Sequence, residues 1–435
     1  MDSEKCVACH INQKNVNSKS NKKCIKEPDV NVKIGLYGIG GLYNYGCEAI
    51  VRGTVILIRN IYPDAQIIYF SRSPLADQKV IRDLDIQVRS ITRNASLFTR
   101  YFNAGMYRLH IPYRFIVDTW KILCDEIDVV FSIGGDIYTI PKIQRQKKHY
   151  RFYNQLVDVG TRVKKSGQCL IIFGASIGPF GSFKLAKNYY IKHLENVDWI
   201  YCREFGSISY LTDNLKTQNY SFIPDPAFFV SAYDNAVYNK EYIGVNISPL
   251  SIKECYGEIS DKCKVTIARM FEKLIYSTGR KIMLIPHVIS SDKSDNDWVF
   301  MNEILQYVNK EKRSDIVLID KDIGYINTKK HLRKCVVLVS SRMHCCINAV
   351  CEYIPTIFLT YSSKALGMAR YIYKDDKWIL PIQECEKELV QKVNELIELR
   401  SETENFLVER INDIKNDVDY TMLETQLKKY NRKEN

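Results

Sequence analysis

From Lys33 onward, short β-branched and aliphatic runs alternate with stretches of helical periodicity, and this alternation narrows the fold more than any other feature. Runs at 34–37, 67–70, 129–133, 170–173 and 200–202 form a first series. Runs at 243–247, 282–285, 316–319, 336–339 and 356–359 form a second. Such a pattern predicts parallel sheets wrapped by helices. The polar stretch 231–242 separates the two series, so the reading is α/β, with two Rossmann-like domains facing a cleft. The expected boundaries are a flexible tail at 1–31, an N-terminal domain at 32–235, a C-terminal domain at 236–385 and C-terminal helices at 386–435. In the last segment Leu389, Val393, Leu396, Ile397, Phe406, Leu407 and Ile411 recur at spacings that place them on one face, predicted to pack on the body.

Apolar residues make up 46% of the chain and charged residues 26%, enough to build sizeable cores. No apolar run approaches the roughly 18 residues that span a bilayer, and a polar stretch follows Met1, so a cytoplasmic protein is expected. The net charge of +12 suits an anionic ligand or an anionic membrane face; no basic-aromatic nucleic-acid motif accompanies it, and nucleic acid is not an expected partner. Cys169, Cys202, Cys335, Cys345, Cys346 and Cys351 lie inside apolar runs and read as small buried hydrophobes in a reducing compartment. In the tail, Cys6, Cys9 and His10 have c-type haem attachment spacing, and Cys24 adds a third thiol. Without an export signal this is read as an incidental pattern, with a small zinc knuckle as the alternative.

In open parallel sheets ligands gather at the carboxyl ends of strands. Those ends carry Gly38 to Gly41, Gly134-Gly135-Asp136, Gly174-Ala175-Ser176, Arg203-Glu204, Pro286-His287 and Ser340-Ser341-Arg342-Met343-His344. The first lacks a dinucleotide fingerprint, because Tyr43 stands where the third glycine belongs, and no nicotinamide cofactor is expected. Gly134-Gly135 reads equally as a tight turn or a ligand contact, and His287 as a ligand group or a satisfied buried histidine. The last cluster is the most telling: an apolar strand ends in two hydroxyls, a guanidinium and an imidazole at the start of a helix, an arrangement suited to anions.

Taken together, Asn44-Tyr45-Gly46-Cys47-Glu48-Ala49, Gly134-Gly135-Asp136, the 174–179 loop, Arg203-Glu204, Asp225-Pro226, Ser341-Arg342-Met343-His344 and Tyr361-Ser362-Ser363-Lys364 with Gly367 resemble the polysaccharide pyruvyl transferase family. The resemblance spans roughly 33–385 and implies a fold like that of the GT-B glycosyltransferases. It implies pyruvyl transfer from phosphoenolpyruvate, a co-substrate, to hydroxyls of a glycan, with no further cofactor and no metal. Arg203, Arg342 and His344 carry over as donor-site and catalytic residues, with the donor site in the C-terminal domain. Ser340, Ser341, His287, Gly174 and Ser176 are the expected donor-binding residues beside them. Asn44, Glu48, Asp136, Glu204, Ser363 and Lys364 are candidates for acceptor binding or for the catalytic base. The cysteine-bearing tail and Cys345-Cys346 depart from the family pattern and put the acceptor in doubt more than the reaction.

Phosphoenolpyruvate offers a carboxylate and a phosphate on a rigid skeleton, which two arginines grip in one orientation. His344 is the expected general acid toward the enol methylene, since imidazole titrates near neutrality. Between Arg93 and Lys121, four arginines mix with Phe98, Tyr101, Phe102, Tyr107, Tyr113, Phe115 and Trp120. This segment is expected either to pack on the core or to face a lipid-linked oligosaccharide acceptor, in peripheral contact with the inner membrane face. Two rivals share the architecture: a GT-B enzyme using a nucleotide sugar, which Asp320 and Asp322 keep open, and a non-catalytic glycan-binding relative.

Overall fold

The structure is a computed structural model, and it describes residues 32–91, 96–109, 115, 120–232, 236–361 and 363–431. The tail cysteines and His10 lie outside the described residues. The first sheet contains β1 (Lys33–Tyr37), β2 (Gln66–Ser71), β3 (Gln87–Ser90), β4 (Val129–Ile133), β5 (Cys169–Ala175), β6 (Trp199–Cys202) and β7 (Tyr220–Phe222), in the order β3-β2-β1-β4-β5-β6-β7. The second contains β8 (Tyr242–Asn246), β9 (Lys281–Leu284), β10 (Ile316–Leu318), β11 (Cys335–Ser340), β12 (Thr356–Thr360) and β13 (Ile379–Pro381), in the order β10-β9-β8-β11-β12-β13. Both are parallel throughout.

Parallel neighbours need crossover helices, and helices on both faces explain why the central strands are apolar at every position. Along β4, Val129, Phe131 and Ile133 join one core cluster while Val130 joins the cluster on the opposite face. Each such side chain, removed from water, contributes roughly 1.5–3 kcal/mol before entropy is counted. The six cysteines singled out above are all buried. Strand order reverses direction between β1 and β4 and again between β8 and β11, so each domain has a crevice at the carboxyl ends of those strands.

One helix, Tyr45–Ile61, joins the halves. Asn44 caps it by accepting the Gly46 N–H at 2.9 Å. Its first turn belongs to the second domain's core through Tyr45 and Ala49, and its later turns to the first domain's through Ile50, Val51, Val55 and Ile58. The Tyr45 N–H donates to the His287 carbonyl at 3.0 Å and the Ile289 N–H to the Tyr43 carbonyl at 2.9 Å. The strand-end loops of the two sheets are therefore stitched together beside that cap.

Past Glu384 the chain forms helices Cys385–Glu398 and Arg400–Asn416, which bury Leu389, Val393, Leu396, Leu407 and Ile411 in the second domain's core. Ile397 and Phe406 pack at its margin. A further helix, Thr421–Asn431, returns to the first domain and buries Leu423 and Leu427 there. Among the described residues no helix is long and apolar enough to cross a membrane.

Candidate functional site

Where the two sets of strand ends meet, Arg203 and His344 come together from opposite sheets. Arg203 follows β6 and is 4% exposed; its Nη1 donates to Asp225 at 2.7 Å, its Nε to Ser176 at 3.1 Å and its Nη2 to Asp136 at 3.1 Å. His344 sits in the first turn of helix Met343–Val350, and its Nε2 lies 3.4 Å from both Arg203 Nη1 and Asp225 Oδ2. One carboxylate oxygen thus serves a guanidinium and an imidazole. Both partners are closely fitted: a Cβ at Gly46 would lie 2.6 Å from His344 Nδ1, and one at Gly135 would lie 2.7 Å from Arg203 Nη2. Only glycine lets the two backbones approach these rings and planes so closely.

Electrostatics hold Asp225 and Arg203 in their charged forms. Burial alone would raise the Asp225 carboxyl, but His344 and Arg203 outweigh it, together with hydrogen bonds from His344 and the Ala227 N–H, and keep it well below the usual carboxylate range. Burial opposes the charge on Arg203; Asp225, Asp136 and Glu204 overcome that and raise it.

Arg342 forms a second cluster within its own domain. Its Nη2 donates to Asp297 at 2.8 Å and to Asp295 at 2.5 Å, and its Nε to Asp297 at 3.2 Å. Asp297 is fully buried and also accepts the His287 and Val288 N–H groups at 3.0 and 3.1 Å and the Asn246 amide at 3.2 Å. Asn246 Oδ1 in turn takes the Arg342 N–H and the Ser340 hydroxyl, each at 3.1 Å, while the Ser341 hydroxyl accepts the Ser248 N–H at 2.9 Å. Ser340 and Ser341 thereby fix the backbone that presents Arg342.

His287 links the clusters. It is buried, with Tyr45 and Tyr325 edge-on to its ring at 5.6 and 5.9 Å, and its Nε2 has no hydrogen-bond partner. Burial, reinforced by His344, Arg342 and Lys329, holds it well below the ordinary histidine range and therefore neutral. Tyr361, at the end of β12, feels Arg342 from its own domain and Asp136 from the other; burial chiefly pushes its hydroxyl up to about 12. Tyr361 thus feels one charge from each domain, and the two arginines make no contact with one another.

The other candidates take different places, with Glu204 beside Arg203 on a shared cavity wall. Glu48 is 1% exposed, binds Arg52 Nε at 2.7 Å and accepts the Tyr325 N–H at 2.7 Å, so it braces the two domains. Asn44 spends its side-chain oxygen on capping. Glu204 accepts the Ser207 hydroxyl at 3.0 Å on the wall of a smaller cavity of about 470 Å³. Gly174 turns the chain with a φ of 66°, and a Cβ there would strike Pro226 at 2.7 Å. Ser363 and Lys364 open helix Ser363–Tyr373, and their side chains lie outside the described residues. Asp225, Asp295, Asp297 and Asn246 had no role assigned from sequence. Asn246 alone carried a local signal, as a polar residue closing an apolar strand; the aspartates acquire theirs from partners far along the chain.

The sequence profile of the polysaccharide pyruvyl transferases matches residues 44–363, which include both clusters. The chain belongs to the polysaccharide pyruvyl transferase family. No curated protein matches it. Among solved structures, a glycosyltransferase from Rickettsia africae is 13% identical with a TM-score of 0.53, covering 92% of this chain and 98% of that one. An Anabaena protein in complex with UDP and glucose is 9% identical at 0.55, covering 91% and 98%. The UDP-GlcNAc 2-epimerase of Methanocaldococcus jannaschii is 10% identical at 0.52, covering 84% and 92%. At such identities the likeness concerns the fold alone, and it identifies this member of the pyruvyl transferase family as a two-domain α/β protein of GT-B type.

Proposed function

We propose that the protein transfers the pyruvyl group of phosphoenolpyruvate to a hydroxyl pair of a glycan, forming a cyclic ketal and releasing phosphate. The observation that carries this reading is the Arg203–Asp225–His344 contact at the domain junction, which joins a guanidinium of one domain to an imidazole of the other. Each guanidinium is held by a fully buried aspartate and, on its outer edge, by a more accessible one: Asp136 is 59% and Asp295 39% exposed. An incoming dianion replaces Asp136 and Asp295 on the two arginines, which bind its carboxylate and phosphate.

The proton balance then follows from the neighbours. His344 gives its proton to the methylene carbon of the enol, which becomes a methyl group, and positive charge develops at the adjacent carbon. A glycan hydroxyl attacks that carbon and passes its proton to a carboxylate, for which the displaced Asp136 is the best placed. The carbon–oxygen bond to phosphate breaks, and a second hydroxyl closes the ketal, its proton passing to the His344 imidazole that gave one up in the first step. Ser176 holds Arg203 in orientation, and Asp225 keeps the imidazole facing it. No step draws on a cofactor beyond phosphoenolpyruvate.

The experiment is incubation of the purified protein with a glycan fraction and either phosphoenolpyruvate or nucleotide sugars. Release of inorganic phosphate, with a ketal methyl signal in the NMR spectrum of the product, is expected. Release of a nucleoside diphosphate instead would establish the glycosyltransferase reading, and neither product would leave a binding protein.

A further inference from the structure

A cavity of about 1080 Å³ opens beside the carboxyl ends of β1, β2 and β4, and Arg72, Arg100 and Arg151 line it together with aromatic rings such as Phe70 and Phe152. Ile137, next to Asp136, also lines it, so it lies alongside the Arg203 cluster. One wall is helix Leu97–Arg108. At 100° per residue, Arg100, Asn103 and Met106 fall on the side facing the cavity, and Leu97, Phe98, Tyr101 and Arg108 fall on the other. That outer side is open to solvent: Leu97 and Phe98 are 68% exposed, Tyr101 76%, and Leu109 just beyond 68%. Large apolar side chains grouped in this way on a surface mark a place of contact.

The aromatic group is held in place. Asn103 donates to the Phe115 carbonyl at 2.9 Å and accepts the Phe115 N–H at 2.8 Å, fastening Phe115 to the helix. The Phe115 ring then packs 4.8 Å from Phe102 and 6.3 Å from Phe98. Residues 91–117 contain Arg93, Arg100, Arg108 and Arg114 and no Asp or Glu. Among the described residues, Arg100 and Arg108 of this helix would meet their own copies with no carboxylate of the helix between them, which disfavours self-association. Apolar and aromatic side chains with Arg108 beside them and Arg100 toward the cavity fit a surface that is apolar within and anionic at its rim.

We infer that helix Leu97–Arg108 seats the protein on an anionic bilayer through Leu97, Phe98, Tyr101 and Leu109, placing the arginine-lined cavity at the headgroup level. This deepens the pyruvyl transfer reading, on which it rests for the substrate: a lipid-borne glycan acceptor reaches the cavity, and the Asp136–Arg203 pair beyond it, without leaving the membrane. The seating itself depends only on the surface.

The test is co-sedimentation of the full chain with vesicles of phosphatidylcholine alone or containing about one third phosphatidylglycerol, at low and high salt. Binding to the anionic vesicles is expected, weakened by salt, and the double variant Phe98→Ser/Tyr101→Ser lowers the partition coefficient by on the order of 30-fold. The control Leu75→Ser/Tyr276→Ser removes side chains that are 84% and 87% exposed elsewhere and leaves binding unchanged. Absence of vesicle binding by the unaltered protein, or equal binding by both double variants, overturns the inference. A concentration-dependent dimer that Phe98→Ser/Tyr101→Ser abolishes would name a second copy as the occupant and overturn it too. Phosphate release from phosphoenolpyruvate with a water-soluble glycan, retained in Phe98→Ser/Tyr101→Ser, separates failure of the docking surface from failure of the transfer reading.

Discussion

Arg203 and Arg342 stand at strand ends in different domains, and each is gripped by one fully buried and one accessible aspartate, yet the two grips are built differently. Asp297 takes all its partners from its own domain: Arg342, two backbone N–H groups and Asn246. Asp225 takes Arg203 from β6 and His344 from the opposite domain. The Arg342 arm is therefore preassembled, whereas the Arg203 arm exists in full only while the domains are joined at helix Tyr45–Ile61. Binding energy from a small dianion can therefore act on the joining of the domains through the second arm, while Asp297 keeps the first in place.

The largest effect that sharpens this contrast is on His344, the contribution of one domain to the other's arm. His344→Ala should lower kcat by about 10²–10⁴-fold while phosphoenolpyruvate affinity, measured by titration calorimetry, stays largely intact. A variant keeping most of its turnover would take the imidazole out of the chemistry. Next come the buried aspartates. Asp297→Ala should cost about 3–5 kcal/mol in urea denaturation, because it leaves the Arg342 guanidinium with Asp295 alone and two buried N–H groups unpaired. Asp225→Ala should cost less, since Arg203 keeps Asp136 and Ser176. An equal or greater loss from Asp225→Ala would break the contrast.

Each domain also buries one neutral histidine, His193 in the first and His287 in the second. Burial pushes His193 down to about 4 from its ordinary 6.5, with Tyr138 stacked 5.9 Å away. The unfolded chain therefore binds the extra proton between those values, so stability is complete above 6.5 and falls by on the order of 3 kcal/mol as the pH drops toward 4. His193→Phe should remove that share of the acid sensitivity in thermal melts across this range, leaving the contribution of His287. An unchanged pH profile would mean that the histidine is not buried neutral. The smallest effect concerns fit. Gly46→Ala places a methyl against the His344 ring and should lower turnover on the order of tenfold with little change in the unfolding midpoint.

The central strands were legible because they are covered on both faces and therefore apolar throughout. β3, β7 and β13 were not: Gln87-Val88-Arg89-Ser90 is half exposed at a sheet edge and reads like a loop. Arg203, Arg342 and His344 stood out because each closes or follows an apolar strand, where an ionisable side chain has few structural reasons to be. Asp295 and Asp297 lie at the start of an ordinary helix, and nothing local distinguishes them from helix-capping residues. Glu48 shows the opposite case. It follows the strand-end glycines closely in sequence, yet the helix turns it inward to Arg52 and Tyr325. Partnership across domains is decided by packing, which local spacing does not encode.

Determination of the structure with phosphoenolpyruvate bound examines the proposed clamp most directly. The ligand's carboxylate and phosphate should lie within hydrogen-bond reach of Arg203 and Arg342, with Asp136 and Asp295 displaced and His344 against the methylene carbon. Phosphoenolpyruvate found elsewhere, with all four aspartates still on their arginines, would contradict it.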